Sequence, residues 1–151
     1  MTSFIVELLA SKIALSCILS WSLSQVLKAV IFFGMEKKID LKYFLTGEGG
    51  MPSSHTAFVS SLFLSIYRIE GISASFLIAL VFGLVTLRDA MGIRRAAGTH
   101  AQVLNKLIQH IPFSENIEPK ELRELLGHTL IEVIAGFIVA IIGVSIVFRF
   151  F

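Results

Sequence analysis

Long apolar stretches alternate with shorter polar connections along the whole chain. Four stretches, approximately residues 6–35, 53–68, 72–92 and 128–149, are nearly free of charged side chains. A helix of about 20 residues is long enough to cross the ~30 Å hydrocarbon core of a bilayer. The pattern therefore predicts four transmembrane helices, the second of them the shortest, in a single transmembrane domain that covers residues 1–151.

The polar connections differ in length and character. Arg68 to Gly71 is short, which predicts a tight hairpin between the second and third helices. The connection 94–127 is long, and apolar residues recur in it at helical spacing: Val103, Leu104, Leu107, Ile108 and Ile111. This spacing predicts an amphipathic helix at the membrane surface, ended by Pro112, and Pro119 is expected to start a further short helix. The predicted fold class is all-α: an integral membrane bundle of about four transmembrane helices plus an amphipathic interfacial helix.

Composition and charge favour a membrane protein. Hydrophobic residues make up 55% of the 151 residues and charged residues 16%, whereas about a quarter of a soluble domain is charged. A net charge of +2 leaves no basic field for nucleic acid, so membrane lipids are the expected surroundings, and a homo-oligomer is compatible with the chain. The two long connections carry nine Lys and Arg residues against three on the opposite side, which predicts that these connections face the cytoplasm from a bacterial cytoplasmic membrane.

The first apolar stretch carries one polar stripe. Its members follow each other at four-residue spacing: Ser16, Ser20, Ser24 and Lys28. The fourth stretch carries a ridge of small side chains that the stripe can approach closely: Gly136, Ala140 and Gly143. A charged side chain inside a span is costly and suggests a functional site. The alternative for Lys28 is a side chain that reaches along the helix to the membrane surface.

The second stretch begins with a sequence suited to anion binding. Residues 49–56 read Gly-Gly-Met-Pro-Ser-Ser-His-Thr. The first amides of a helix lack partners within the helix and attract anions, and the hydroxyls of Ser53 and Ser54 add donors. His55 is then placed to exchange a proton with the bound group near neutral pH. The alternative is an ordinary serine-capped helix with an incidental histidine.

Two further polar features flank the long connection. Arg94 and Arg95 follow the third stretch, where they suit either bidentate phosphate contacts or a positively charged anchor at the membrane surface. His128 and Glu132 open the fourth stretch at a spacing of four, so the carboxylate can orient the imidazole. A metal site would need further ligands, and no second such pair or cysteine cluster occurs in the sequence. We therefore predict neither a metal nor a cofactor.

The predicted topology brings these features to one membrane face. Lys28 ends the first helix, His55 starts the second, the two arginines follow the third, and His128 with Glu132 starts the fourth. Independent anchoring residues would rarely all lie on the same face, so this coincidence indicates a single site.

These motifs resemble those of the type 2 phosphatidic-acid phosphatase superfamily. Residues 52–55, Pro-Ser-Ser-His, are similar to its Pro-Ser-Gly-His motif, residues 127–136 to its His-x₃-Asp motif, and Lys28 to the lysine of its first motif. The resemblance is closest to the divergent branch related to acid phosphatases and vanadium haloperoxidases. That branch carries the runs Gly-Gly-Met-Pro-Ser-Ser-His, Asp-Ala-x-Gly-x-Arg-Arg-Ala-Ala-Gly and Glu-Leu-Leu-Gly-His that occur here. The similarity extends from about Trp21 to Gly143.

The resemblance implies a membrane phosphatase that hydrolyses a lipid phosphate or prenyl diphosphate without a metal. By analogy, His128 is the nucleophile that forms a phosphohistidine, Glu132 orients its ring, and His55 is the general acid. The groups expected to hold the phosphoryl oxygens are Lys28, Ser53, Ser54 and Arg94 or Arg95.

The chain also departs from the superfamily pattern. No Arg-Pro follows Lys28, and the Ser-Arg expected before the third motif is absent, since position 122 is Leu and the nearest arginine is Arg123. The superfamily normally has six spans. These departures keep an alternative open: a catalytically inactive membrane protein that binds a phosphorylated lipid or serves a larger membrane complex.

Overall fold

The computed structural model describes residues 7, 10–36, 50–110, 122 and 127–151, and within these ranges the regular structure is entirely helical. The helices are α1 (Lys12–Glu36), α2 (Ser54–Glu70), α3 (Ala74–Met91), α4 (Ile93–His110) and α5 (Leu130–Phe150). The predicted stretches 53–68, 72–92 and 128–149 coincide with α2, α3 and α5 to within two residues at each end, whereas α1 begins six residues after the expected start of the first stretch. The predicted all-α membrane bundle is thereby confirmed.

Three parts of the described chain are long and apolar enough to cross a membrane: Lys12–Gly34, Ala74–Ile108 and Leu130–Phe150. The second of these includes α3 and most of α4. Helix α2 has 17 residues, at the lower end of the ~17–25 residues usual for a span. Its crossing of the membrane, and with it the total of four spans, stays a prediction.

Helix α2 lies at the centre of the bundle. It packs against α1, α3 and α5, and α1 also packs against α5. In the second half of α2, Phe63 and Ile66 form an apolar cluster with Ala79 of α3. The Phe63 ring also stacks on Phe137 of α5, with 6.3 Å between ring centroids. This apolar packing fixes one end of α2 and leaves its first turn for polar contacts.

Local capping explains where the helices begin. The side chains of Ser53, Ser73 and Thr129 each accept a hydrogen bond from the backbone N–H three residues later, at the starts of α2, α3 and α5. Such caps satisfy one of the N–H groups that have no partner inside a helix. Helix α2 ends at Glu70, with Gly71 as its C-cap, and α3 starts at Ala74. The predicted hairpin is confirmed.

Small residues let α5 approach its neighbours closely. A Cβ atom added at Gly143 would lie 3.2 Å from the Cα atom of Ser20 in α1, and one added at Gly136 would lie 2.9 Å from the Cβ atom of Thr56 in α2. Ala140, between them, is fully buried. The predicted contact between the small-residue ridge and the serine stripe is therefore confirmed at Gly143, whereas Gly136 faces α2.

Helix α4 is amphipathic, as predicted. Ala101 and Asn105 are buried, and the apolar side chains on its other side are exposed: Val103, Leu104 and Leu107. The Asn105 amide donates to the Leu122 carbonyl at 2.9 Å and its oxygen accepts from the Leu122 N–H at 3.0 Å. The placement of the exposed apolar side chains in the membrane surface stays a prediction. Pro112 and the short helix expected at Pro119 lie outside the described residues.

Candidate active site

A hydrogen-bonded pair of side chains lies at the start of α5. The Nδ1 atom of His128 lies 2.8 Å from Oε2 of Glu132, and the histidine is only 5% exposed. A carboxylate at this position accepts the Nδ1 proton, which leaves the Nε2 lone pair as the basic, nucleophilic position of the neutral ring. This is the pair predicted from the four-residue spacing. Within the described ranges, no group of three His, Cys, Asp or Glu side chains is arranged to hold a metal ion.

The backbone around His128 is held by α3 and by a glycine. Gly127 has a φ angle of 86°, a conformation that residues with a Cβ atom rarely adopt. The chain turns there, and the His128 N–H donates to the carbonyl of Ala90 at 2.9 Å, near the end of α3. The C-terminal end of α3 therefore fixes the position of His128, just before α5.

The start of α2 is hydrogen-bonded directly to the first turn of α5. The Ser53 N–H donates to the Glu132 carbonyl at 3.0 Å. The absence of a side chain at Gly136 allows this approach, because a Cβ atom there would clash with the Ser53 carbonyl. As a result the His55 and His128 rings lie with their centroids 6.1 Å apart and their planes tilted by 56°. Two histidines 73 positions apart in sequence thus lie side by side.

Lys28 completes this group from α1. It is only 3% exposed, and it is attracted electrostatically to the carboxylate of Glu132. This burial favours a side chain that faces the bundle interior over one that extends to the membrane surface. A buried ammonium group is tolerated inside a membrane helix when it has an opposite charge nearby, and Glu132 is that charge.

Residues 9–144 match the sequence profile of the divergent PAP2 family. The chain belongs to this family. It is 36% identical over 159 residues to an uncharacterised membrane protein of Bacillus subtilis (strain 168), YuiD, with 96% of this chain and 99% of the relative covered. No solved structure matches. The resemblance inferred from the motifs is confirmed, and the membrane relative supports a membrane location.

The two serines of this divergent PAP2 family member have different surroundings. The Ser53 hydroxyl oxygen is fully buried and accepts hydrogen bonds from the Thr56 N–H at 3.3 Å and the Thr56 hydroxyl at 2.9 Å. Its observed role is to cap α2. Ser54 is also buried, beside His55. The positive end of the α2 dipole lies at these residues, but their contact with a phosphate stays a prediction.

The predicted arginine ligands lie on α4. Arg95 is exposed in the first turn of that helix, and the Arg94 side chain is outside the described part of the structure. Neither is placed against the histidines by a described contact. Their role as phosphate ligands, and the choice between them, stays a prediction for this divergent PAP2 protein.

Sequence reasoning missed several residues near the site. Gln25 is 8% exposed, and its Oε1 atom has no hydrogen-bond partner among the described residues. It lies three positions before Lys28, off the four-residue spacing that revealed the serine stripe. A groove beside His55 was also missed, because its Trp21, Phe58 and Val59 lining is indistinguishable in sequence from other apolar positions. For Gln25, the available signal was the presence of a glutamine within an apolar span.

Proposed function

We propose that this protein is a membrane phosphatase that hydrolyses a lipid phosphate or prenyl diphosphate through a phosphohistidine intermediate. The observation that carries the proposal is the pairing of two histidines in different electrostatic settings. His128 is bound to Glu132 at 2.8 Å, while the neighbouring His55 is exposed, with its ring centroid 6.1 Å from that of His128. Divergent PAP2 family membership supports the same chemistry.

The first half of the reaction forms a bond between nitrogen and phosphorus. The Nε2 lone pair of His128 attacks the phosphorus atom, and the bond from phosphorus to the leaving oxygen breaks. Protonated His55 gives its proton to that oxygen, so the product leaves as a neutral hydroxyl group or a less charged phosphate. Glu132 stabilises the positive charge that His128 acquires when it is phosphorylated.

The second half regenerates the enzyme. Neutral His55 takes a proton from a water molecule, whose oxygen attacks the phosphohistidine. The nitrogen–phosphorus bond breaks and releases inorganic phosphate. His55 is protonated again and Nε2 of His128 regains its lone pair, so the cycle closes without an external reagent.

Three sources of positive potential support phosphate binding at this position. The dipole of α2 places its positive end at Ser54 and His55. Lys28 is buried within electrostatic reach of Glu132, and its ammonium group offsets the carboxylate charge so that the site remains favourable for an anion. Arg94 or Arg95 is the third proposed source. The excess of Lys and Arg in the long connections further supports placing the site on the cytoplasmic face.

Replacement of the histidines tests the assignment. His128→Ala should abolish phosphate release and covalent labelling, because the nucleophile is lost. His55→Ala should slow substrates with poor leaving groups by about 10²–10⁴-fold and an activated aryl phosphate far less, because only the former need a proton. Glu132→Gln should release phosphate at a rate between that of the parent protein and that of His128→Ala. Phosphate release by purified protein from lipid phosphates, a prenyl diphosphate and an aryl phosphate measures all three effects.

A histidine outside the cluster provides the matched control. His100 is exposed on α4, and His100→Ala should retain parental activity. Unchanged activity in His128→Ala would show that the nucleophile is a different residue. If the parent protein bound a prenyl phosphate yet released no phosphate from any substrate, the binding-protein alternative would replace the enzyme.

A further inference from the structure

Gln25 of α1 is a large polar side chain that is buried with an unpaired acceptor. It is 8% exposed, and its Oε1 atom has no hydrogen-bond partner among the described residues. A buried acceptor left unpaired typically costs about 1–3 kcal/mol. Ser16 and Ser20 of the same helix also lack partners there, but small side chains are explained by close helix packing. An amide side chain is too bulky for that explanation.

The position of Gln25 follows from its neighbours on the same side of α1. Cys17 lies beside Ser61 of α2. Trp21, about one turn further along α1, lines a groove together with His55, which precedes Ser61 in α2. The two helices therefore run antiparallel. The next residue at four-residue spacing is Gln25, which lies level with the start of α2.

Gln25 thus lies between two side chains of α1 that border the candidate site. Trp21 is four residues before it and shares the groove with His55. Lys28 is three residues after it and is attracted electrostatically to Glu132. Residues three or four apart are neighbours on one helix face. The unpaired Oε1 atom is therefore an acceptor in the part of the bundle where α1 meets the candidate general acid.

An acceptor in this part of the bundle suits the second half of the proposed reaction. There a water molecule attacks the phosphohistidine, and each of its two hydrogens needs an acceptor. His55 takes one proton, while the other hydrogen stays on the oxygen and leaves with the phosphate. An acceptor for that second hydrogen directs a lone pair of the oxygen toward phosphorus, and orientation of this kind strongly affects rates. In GTPases a glutamine orients the attacking water.

We infer that Gln25 positions the water that hydrolyses the phosphohistidine, by accepting a hydrogen bond at Oε1 while His55 removes the other proton. The inference rests on the proposed phosphatase function and adds a residue to its second half. The water oxygen bonds to phosphorus, the nitrogen–phosphorus bond breaks, and its electron pair returns to Nε2 of His128. Gln25 neither gains nor loses a proton, so the first half of the reaction does not need it.

Measuring the two halves separately tests the inference. Radiolabelled p-nitrophenyl phosphate forms the phosphohistidine with release of nitrophenol, and a chase with unlabelled substrate then gives the rate at which the label is lost. Gln25→Leu should slow the loss of label by about 10–100-fold. Nitrophenol should still form at the parental rate in the first turnover, so this variant should show a burst followed by slow release.

Two further variants separate the acceptor from a structural role. Gln25→Glu keeps an oxygen at the position of Oε1 and should recover most of the rate of label loss that Gln25→Leu forfeits. Ser16→Ala is the matched control, since Ser16 is buried without a described partner and lies nine residues, about 13 Å, from Gln25 along α1. It should lose label at the parental rate. Thermal melting in detergent checks that each variant is folded.

The outcomes distinguish this inference from the proposal on which it rests. A parental rate of label loss in Gln25→Leu, equal slowing of both halves, or no recovery in Gln25→Glu would overturn the role of Gln25 while the phosphatase proposal stands. If the parent protein neither forms a phosphohistidine nor releases phosphate, the phosphatase proposal fails and the role of Gln25 fails with it.

Discussion

Helices α2 and α3 are adjacent, similar in length and connected by a tight turn, yet they have opposite surroundings. Helix α2 contains four serines, Ser54, Ser60, Ser61 and Ser65, and all four are buried together with Thr56. Helix α3 is more apolar, but its buried residues are only Ala79, Gly83 and Ala90. Its large side chains, such as Ile78 and Phe82, are exposed. The more hydrophobic helix is the more exposed one.

This difference is the reverse of the pattern in a soluble protein, where exposed positions are polar. In a membrane the lipid takes the place of water, so large apolar side chains gain nothing by turning inward. Small hydroxyl-bearing residues instead allow helices to approach closely and place polar groups away from lipid. Helix α2 therefore occupies the centre of the bundle, and its first turn carries the candidate site.

The largest effect is expected where α5 contacts the start of α2. Gly136→Leu should destabilise the bundle by more than about 3 kcal/mol, since its side chain meets the Ser53 backbone and overpacking penalties are typically about 1–3 kcal/mol even without a backbone clash. Thermal melting in detergent measures the loss. Gly34→Leu is the control, because nothing lies within 4 Å of a Cβ atom at that position. Parental melting of Gly136→Leu would show that α5 does not pack on α2.

A charge on the exposed side of α3 tests its contact with lipid. Val81 is 59% exposed near the middle of the helix, and Val81→Asp should cost about 3 kcal/mol if the side chain faces hydrocarbon. Val81→Leu should be nearly neutral. Membrane insertion and melting of the two variants give the comparison. If Val81→Asp behaved like Val81→Leu, this face of α3 would meet water or a polar partner.

The smallest effect, opposite in sign, is expected inside α2. The hydroxyls of Ser60 and Ser65 are fully buried and have no hydrogen-bond partner among the described residues. Ser60→Ala and Ser65→Ala should therefore stabilise the bundle by up to about 1 kcal/mol. Ser61→Ala is the matched comparison. Its hydroxyl donates to the Phe58 carbonyl at 2.8 Å, so its removal should destabilise by about 0.5–1 kcal/mol. Equal losses in all three variants would indicate water bound between the helices.

Local features of the site were accessible from the sequence because they depend on helical geometry alone. A spacing of four places Glu132 beside His128 whatever the rest of the chain does, and the observed contact follows that rule. The serine stripe on α1 obeys the same periodicity, and all of its members are buried. The expectation that the polar features share one membrane face also needed only the order of the predicted spans, and it stays a prediction.

Contacts between helices were less accessible. The sequence did not decide whether Lys28 reaches the membrane surface or turns toward the interior of the bundle, because a long flexible side chain can adopt either orientation. The attachment of Ser53 to Glu132, and of His128 to Ala90, depends on which helix faces meet. The groove lined by Trp21 and Phe58 forms where side chains of α1 and α2 meet, and these side chains carry no distinguishing sequence signal.

The sequence by itself determined the membrane class, the helix positions, the His128–Glu132 pair and membership of the divergent PAP2 family, since each depends on composition, periodicity or a short motif. Only the tertiary structure decided that α2 is the central helix, that Lys28 is buried, and that His55 lies against His128. The physical reason is that lipid removes the hydrophobic bias that identifies inward faces in soluble proteins. Close contacts at small residues such as Gly136 and Gly143 then select which faces meet.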